Sequence, residues 1–286
     1  MLELIKSTRP WSLTASLIPI LITAALERNY FEWIPFLRAL VLGMSVHLGA
    51  NLTNTYFDFV NGIDDEKSSD RGLVEGKIAP RTVFYSLLFF YAVAILSVLP
   101  AMFSHNGFNL LTVLFSGIIL SYFYTANPVH LKYRALGDAV IFLCFGPLLV
   151  KCTSLILKAS SSWILYYFCV PVSCLTEAIL HANNARDMSS DAKSGVKTLA
   201  IILGFELSFY FFVSLIFGSF LSCLFVSLFF HKGCLLTFLT LPLALDLCRK
   251  FKEKNFGNLV QETAKTHFLF GMLLFIGVCI TKTGLL

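Results

Sequence analysis

Charge is what this sequence has least of. Only 14% of its 286 residues are Asp, Glu, Lys or Arg, where soluble domains carry roughly a quarter. That scarcity excludes an ordinary soluble globular domain. Signals for cysteine pairing are missing too. Eight Cys are present, but none stand in a CxxC spacing, and Cys144, Cys169, Cys174, Cys223 and Cys279 lie inside apolar runs. They read as small apolar packing residues, not as a disulfide framework or a zinc site. There is no low-complexity tract. The first apolar run leads directly into further ones without a convincing cleavage site, so no cleavable signal peptide is expected.

What is abundant is apolar surface. Hydrophobic residues make up 57% of the chain, and its mean hydropathy is +0.76. Apolar runs fall at 11–26, 34–57, 82–103, 108–126, 136–157, 163–182, 205–230, 234–248 and 265–284. A membrane-crossing helix needs about 20 apolar residues, so the spacing predicts an all-α, polytopic membrane protein of about nine transmembrane helices. The eighth run is short and is expected to be tilted or irregular. Runs of this length, not alternating segments of about 10, exclude a transmembrane barrel. One domain over 1–286 is expected.

The connections alternate in charge. Those after the even runs hold Lys67, Arg71, Lys77 and Arg81, then Lys132 and Arg134, then Arg186, Lys193 and Lys197, then Arg249, Lys250, Lys252 and Lys254. The odd connections hold Arg28, Lys158 and Lys232. Basic loops stay cytosolic, which places the even connections and the N-terminus in the cytosol. The net charge of +5 therefore belongs to one membrane face, and no nucleic acid is needed to explain it.

Two polar stripes interrupt the apolar pattern. His47, Asn51, Asn54 and Asp58 follow one another at helical offsets, and so do Glu177, His181, Asn184, Asp187 and Asp191. Each set lies on one face of one helix. Both helices run toward the same membrane face, so the stripes end at one depth. A carboxylate at mid-membrane costs about 2.5–3.5 kcal/mol, so the stripes are expected to face each other across a wet cavity. Opposed acids repel, and a divalent cation relieves the repulsion. Oxygen ligands from Asn and Asp suit Mg²⁺, which binds through a few carboxylates plus substrate phosphates. A diphosphate bridging the metals is the implied ligand, with Arg71, Lys132, Arg186 and Arg9 available for its outer oxygens. Asp65 and Glu66 read as a solvated loop, and His47 and His181 as hydrogen-bonded core groups. Glu177 is either a protonated structural group or a proton acceptor. Some of the 29 Phe are expected to line a tunnel for an isoprenoid chain.

These residues carry a resemblance. "NTYFDFVNGID" resembles the first Asp-rich motif of the UbiA superfamily of intramembrane prenyltransferases, and "NNARDMSSDAKSGVKTLA" resembles its second. "RPWSLTASLIPILITAA" and "YTANPVHLKYRALGDAVIFLCFGPL" extend the match. The form of the second motif is similar to that of the menaquinone branch. The resemblance implies nine helices around a central cavity. It also implies transfer of an allylic prenyl group, such as geranylgeranyl, from its diphosphate to a naphthoquinol in menaquinone or vitamin K2 synthesis. Mg²⁺ is the implied cofactor, and a membrane of the endoplasmic reticulum or Golgi the implied site.

Carried over residue by residue, Asn54, Asp58 and Asp64 match the first motif, and Asn184, Asp187 and Asp191 the second. Asn54, Asp58, Asp64, Asp187 and Asp191 are the implied metal ligands. Asn54, Asp58, Asp187 and Asp191 are the implied catalytic set. Arg9, Arg71, Lys132, Tyr133, Asn184 and Arg186 are the implied substrate contacts. The family's carboxylate directly after the motif Asn is Thr55 here, a weaker ligand for Mg²⁺. The acceptor is left open between reduced menadione, 1,4-dihydroxy-2-naphthoate and a benzoquinone precursor. Two rival readings stand beside the enzyme. A cation transporter would use the acids as an ion path, but they cluster at one membrane face. A silent, sterol-responsive scaffold is opposed by the intact motifs.

Overall fold

The computed structural model describes residues 2–64, 71–104, 106–158 and 162–280. Within them the chain is a helical bundle with no strand. A short α1 (Leu2–Ser7) and a 3₁₀ turn (Pro10–Leu13) lead into α2 (Thr14–Leu26). Then come α3 (Trp33–Val60), α4 (Pro80–Met102) and α5 (Gly107–Tyr122). The fifth apolar run forms α6 (Gly137–Leu143) and α7 (Leu149–Ile156), joined by a π-helical turn at Cys144–Leu148. Pro147 lies in that turn and has no N–H to donate to the α ladder, one local reason for the wider winding. The rest of the bundle is α8 (Ile164–Lys193), α9 (Leu199–Phe229), α10 (Leu241–Lys252) and α11 (Leu259–Ile280).

Seven of these segments are long and apolar enough to cross a membrane, and α5 is a shorter apolar helix. The eighth run, expected to be irregular, is a 3₁₀ stretch (Lys232–Thr240) continuing into α10. The expected nine is therefore an approximate count. Expectations for Asp65, Glu66 and Lys67 fall outside the described residues.

Helix length sets the position of the polar stripes. α3 has 28 residues and α8 has 30, or about 42 and 45 Å at 1.5 Å per residue. A hydrocarbon core is about 30 Å thick, so each helix has about two turns to spare. Asn54 and Asp58 occupy the last two turns of α3, and Asp187 and Asp191 the last two of α8. The acids are thus at the ends that need not sit in hydrocarbon.

Two apolar clusters flank a cavity. One packs α8, α9, α10 and α11 around Phe168, Phe212, Phe251 and Phe270. The other packs α3, α4, α5 and α7 around Leu42, Val98, Leu114 and Ile156. α2 serves both: Ile18 and Ile22 enter the first, Ile20 and Ala24 the second. Two glycines let it sit so close. A Cβ on Gly43 would stand 2.6 Å from Ile20 Cδ1, and one on Gly271 2.3 Å from Ile18 Cγ2. Small residues at such crossings are how helices approach when lipid is as apolar as the core. The outer surface is correspondingly greasy, with Tyr85, Phe89, Leu96, Leu221 and Leu228 all exposed.

Candidate active site

The cavity between the clusters has a volume of about 310 Å³. Its walls come from α2, α3, α5, the α6–α7 segment, α8 and α11. One end is polar and holds Asn54, Asp58, Asp64, Asp187 and Asp191; the other is apolar, reaching Leu42, Leu149 and Cys152. Asp58 and Leu42 lie on one helix, sixteen positions apart, so the bore runs about 24 Å. Phe145 lies on the wall, in the π-helical turn, with its ring 4.6 Å from His47.

The end of α3 is a closed ionic cluster. Lys132 Nζ donates to Asp58 Oδ2 at 2.8 Å, and the Tyr133 hydroxyl donates to Asp58 Oδ1. Asn54 nitrogen donates to Asp58 Oδ2 at 3.0 Å, while its oxygen accepts from Arg9 at 2.9 and 3.1 Å. The Lys132 and Asp58 side chains are only 11% and 6% exposed. Burial works to lower the Lys132 pKa, but the charges of Asp58 and Asp191 outweigh it and the value is raised. Burial and the Asp58 charge raise that of Tyr133, so it remains a neutral donor. The backbone of Ile63 returns to the Asp58 carbonyl at 2.8 Å, which turns Asp64 onto the cavity wall.

The upper part of the same stripe builds the seat for Arg9. His47 ring nitrogens contact Ser12 Oγ (3.0 Å) and Ser16 Oγ (2.9 Å), and Asn51 Nδ2 donates to the Thr8 carbonyl at 2.8 Å. Ser12 Oγ in turn donates to the Arg9 carbonyl at 2.8 Å. Arg9 is held there at φ 51° and ψ 60°, a left-handed conformation costly for a side chain of this size. His47 is a hydrogen-bonded core group.

The end of α8 is more open. Arg186 Nε and Nη2 form a fork on Asp187 at 2.8 and 2.7 Å, and Nη2 also donates to Asn183 Oδ1 at 2.8 Å. These side chains are 21% and 28% exposed. Asp191 lies within the field of Lys132, Asp187 and Asp58, so the two acidic ends do meet. Asn184 is buried on the wall, and its Oδ1 has no partner. The turn Leu131–Tyr133 and the segment after α8 share this end, since Lys197 N–H donates to the Tyr133 carbonyl at 3.2 Å.

Of the residues singled out in the sequence, Arg9, Asn54, Asp58, Asp64, Lys132, Asn184, Arg186, Asp187 and Asp191 all line the cavity, and Tyr133 joins them through Asp58. Arg71 is not on the wall; its guanidinium stands 3.6 Å from Glu75, 54% exposed. Among the described residues, no three His, Cys, Asp or Glu side chains converge tightly enough to hold a metal unaided. The donors are carboxylate and amide oxygens with no thiolate, which fits a hard ion held jointly with substrate oxygens. Sequence reasoning missed Asn183, Tyr124 and Asp138. The argument that a carboxylate in an apolar run needs a reason applies to Asp138 as well and would have found it.

Comparison with known proteins accords with this geometry. The sequence model of the UbiA prenyltransferase family matches residues 16–277. A Gallus gallus relative, UbiA prenyltransferase domain-containing protein 1, is 36% identical over 287 residues, covering 99% of this chain and 86% of its own. A solved UbiA homologue from Aeropyrum pernix K1 superposes with a TM-score of 0.74 at 13% identity, over 92% of this chain and 97% of its own. One from Archaeoglobus fulgidus, bound to GPP and Mg2+, has a TM-score of 0.66 at 16% identity, over 97% of this chain and 100% of its own.

Proposed function

The chain belongs to the UbiA prenyltransferase family and is an integral, multi-pass membrane protein; from that premise we propose the reaction it catalyses. The protein transfers an allylic prenyl group, geranylgeranyl in our reading, from its diphosphate to a naphthoquinol, in menaquinone or vitamin K2 synthesis. The single observation that carries this is a cavity that runs about 24 Å from a charged mouth at Asp58 to an apolar end at Leu42. A diphosphate on a long isoprenoid tail has that shape and that charge distribution. The relative named above and the GPP- and Mg2+-bound homologue support the choice of ligand.

Asn54, Asp58, Asp64, Asp187 and Asp191 would hold Mg²⁺ shared with the diphosphate. The ion supplies neutralisation of the charge that develops on the leaving group. Lys132 and Arg9, held at the α3 end, and Arg186, at the freer α8 end, are the cations at the mouth that meet the phosphate oxygens as these arrive. Tyr133 holds Asp58 in register. The buried amide oxygen of Asn184 accepts from one of the acceptor's two hydroxyls and leaves the other free. The apolar walls exclude water, which keeps the allylic cation for the aromatic carbon. One UbiA-type unit over 1–286 carries out the reaction, in endoplasmic reticulum or Golgi membranes, with the mouth open to the cytosol.

The test is incubation of the purified protein with prenyl diphosphates, Mg²⁺ and a panel of reduced menadione, 1,4-dihydroxy-2-naphthoate and a benzoquinone precursor, read by product mass. A prenylated naphthoquinol is the expected product. Prenylation of the benzoquinone precursor alone would overturn the acceptor assignment, and no transfer to any acceptor would overturn the reaction.

A further inference from the structure

Behind the cavity wall lies a second set of ionisable groups that the diphosphate does not use. Glu177 and His181 on α8 and Asp138 on α6 are 2%, 0% and 6% exposed. Neither Glu177 oxygen receives a hydrogen bond from a donor, and neither does Asp138 Oδ1. The partner in reach of Glu177 is the Asp138 carboxyl itself. Two carboxylates accept and cannot donate, so this contact is a hydrogen bond only if the pair shares a proton. His181 Nδ1 stands 3.5 Å from Asp138 Oδ1, and its Nε2 lies 2.7 Å from Ser208 Oγ and 3.0 Å from the Ser208 carbonyl. The Ser208 carbonyl can only accept, so Nε2 carries the hydrogen and Nδ1 faces Asp138 as an acceptor.

This set has a route to the cavity. Tyr124 lines the wall, and its buried hydroxyl has no partner. That hydroxyl packs beside Gly137, where a Cβ would stand 3.2 Å from it. Asp138 is the next residue. Thr176, the residue before Glu177, and Leu180, three positions after it, also line the cavity. An unpartnered hydroxyl on the wall, backed by a carboxyl pair with an unsatisfied oxygen, is the arrangement a proton needs to leave the bore.

We propose that the Glu177–Asp138 pair, reached through the Tyr124 hydroxyl, takes the proton given up by the aromatic acceptor. The inference rests on the prenyl-transfer reading above. The acceptor's O–H proton passes to Tyr124 as the Tyr124 proton passes to the pair. The allylic C–O bond breaks with its electrons going to diphosphate. A ring carbon of the phenolate-like acceptor supplies the pair for the new C–C bond. The ring proton then moves to the oxygen and restores the aromatic ring. The proton held by the acids returns to water with the diphosphate. Tyr124 touches the acceptor; Glu177 and Asp138 act through it and position its proton. Burial and the nearby carboxylates hold the Tyr124 pKa well above its usual value, so it relays as a neutral hydroxyl.

The groups around the pair are few. On α8 they are His181 and Cys174, on α6 Asp138, and on the preceding loop Tyr124, itself within the field of Arg9 and Asp58. From α11 comes His267, bound to Thr176 at 3.1 Å, and from α9 the uncharged Ser208.

The experiment compares wild type with Glu177→Gln, Glu177→Asp and Tyr124→Phe across pH, with the naphthoquinol that wild type prenylates. Glu177→Gln keeps the shape but cannot take the proton. Its kcat should fall about 100-fold near neutral pH, with an unchanged KM for prenyl diphosphate. The loss should shrink as pH rises and the acceptor ionises unaided. Glu177→Asp should recover part of the loss. Tyr124→Phe removes no hydrogen bond, so it should fold and show the same pH-dependent loss. Wild-type kcat in Glu177→Gln or Tyr124→Phe at every pH would overturn the proposal, as would a loss that does not shrink with pH. Failure of wild type to prenylate any acceptor would instead overturn the parent reading.

Discussion

The two acidic helix ends look alike in sequence and are held in different ways. Asp58 is bound by Lys132, Tyr133 and Asn54, and two of those partners lie 74 and 75 residues away. Asp187 is bound by Arg186, its neighbour in the chain. The first arrangement exists only in the folded bundle and is closed to water. The second can form on an isolated helix and is partly exposed. A buried charge that loses its partner costs about 3–5 kcal/mol, whereas exposed pairs contribute about 0–1 kcal/mol. The α3 end is therefore the fixed side of the mouth, and the α8 end is the side free to rearrange around a ligand.

The largest effects come from removing either acid. Asp58→Ala and Asp187→Ala should each lower prenyl transfer by about 100-fold or more, the scale of losing one fixed group that stabilises developing charge. Stability should separate them. Asp58→Ala strands Lys132 and should lose about 3–5 kcal/mol. Asp187→Ala should lose less than about 1 kcal/mol. Thermal unfolding in detergent beside a transfer assay makes the comparison, and equal losses of stability would erase the distinction.

Next in size are the cations. Lys132→Met and Arg186→Ala should each weaken prenyl diphosphate binding by about 10- to 100-fold, since hydrogen bonds to charged groups are worth about 1.5–3 kcal/mol. Affinity for the isolated naphthoquinol should not change. Only Lys132→Met should also destabilise the fold. The apparent affinity for each substrate in each variant decides it; a loss of acceptor affinity equal to that of diphosphate would remove these cations from the diphosphate.

Much of this was legible in the sequence because period and charge are local. The offsets among His47, Asn51, Asn54 and Asp58 place them on one face whatever surrounds them. The excess length of α3 and α8 follows from counting. What was not legible was how the stripes are divided. His47 and Asn51, although on the cavity wall, are also tied to the Arg9 corner, which depends on Ser12 and Thr8 folding back against α3. The role of Glu177 is not legible in the sequence, because the Asp138 carboxyl near it comes from another helix. The left-handed turn at Arg9 has no sequence signature, since Arg is not a residue that favours it.

That turn gives the third prediction. Arg9→Gly removes a cation from the mouth but suits φ 51°, where a side chain costs about 1–2 kcal/mol. Diphosphate binding should weaken by about tenfold while thermal stability is unchanged or rises. A fall in stability would mean that the Arg9–Asn54 contact supports the fold more than the backbone strain costs it, and Arg9 would then belong with Lys132 as a structural partner of the α3 end.

The smallest effect is expected at Arg71, the motif cation that the fold leaves off the cavity wall. Its side chain is half exposed and faces Glu75, which Lys77 also approaches at 2.5 Å. A charge in that setting acts on a diphosphate only through water, and at 0.1 M salt such an influence fades beyond about 10 Å. Arg71→Ala should therefore weaken diphosphate binding by about fivefold at most, the scale of exposed charge interactions. Whatever effect remains should fade as salt is raised. The Lys132 effect should persist, because buried pairs are screened much less. Diphosphate affinity of the two variants at low and high ionic strength is the measurement. A salt-resistant loss at Arg71 matching that at Lys132 would mean that the segment after α3 swings over the mouth when the ligand binds, and the α3 end would then be no more rigid than the α8 end.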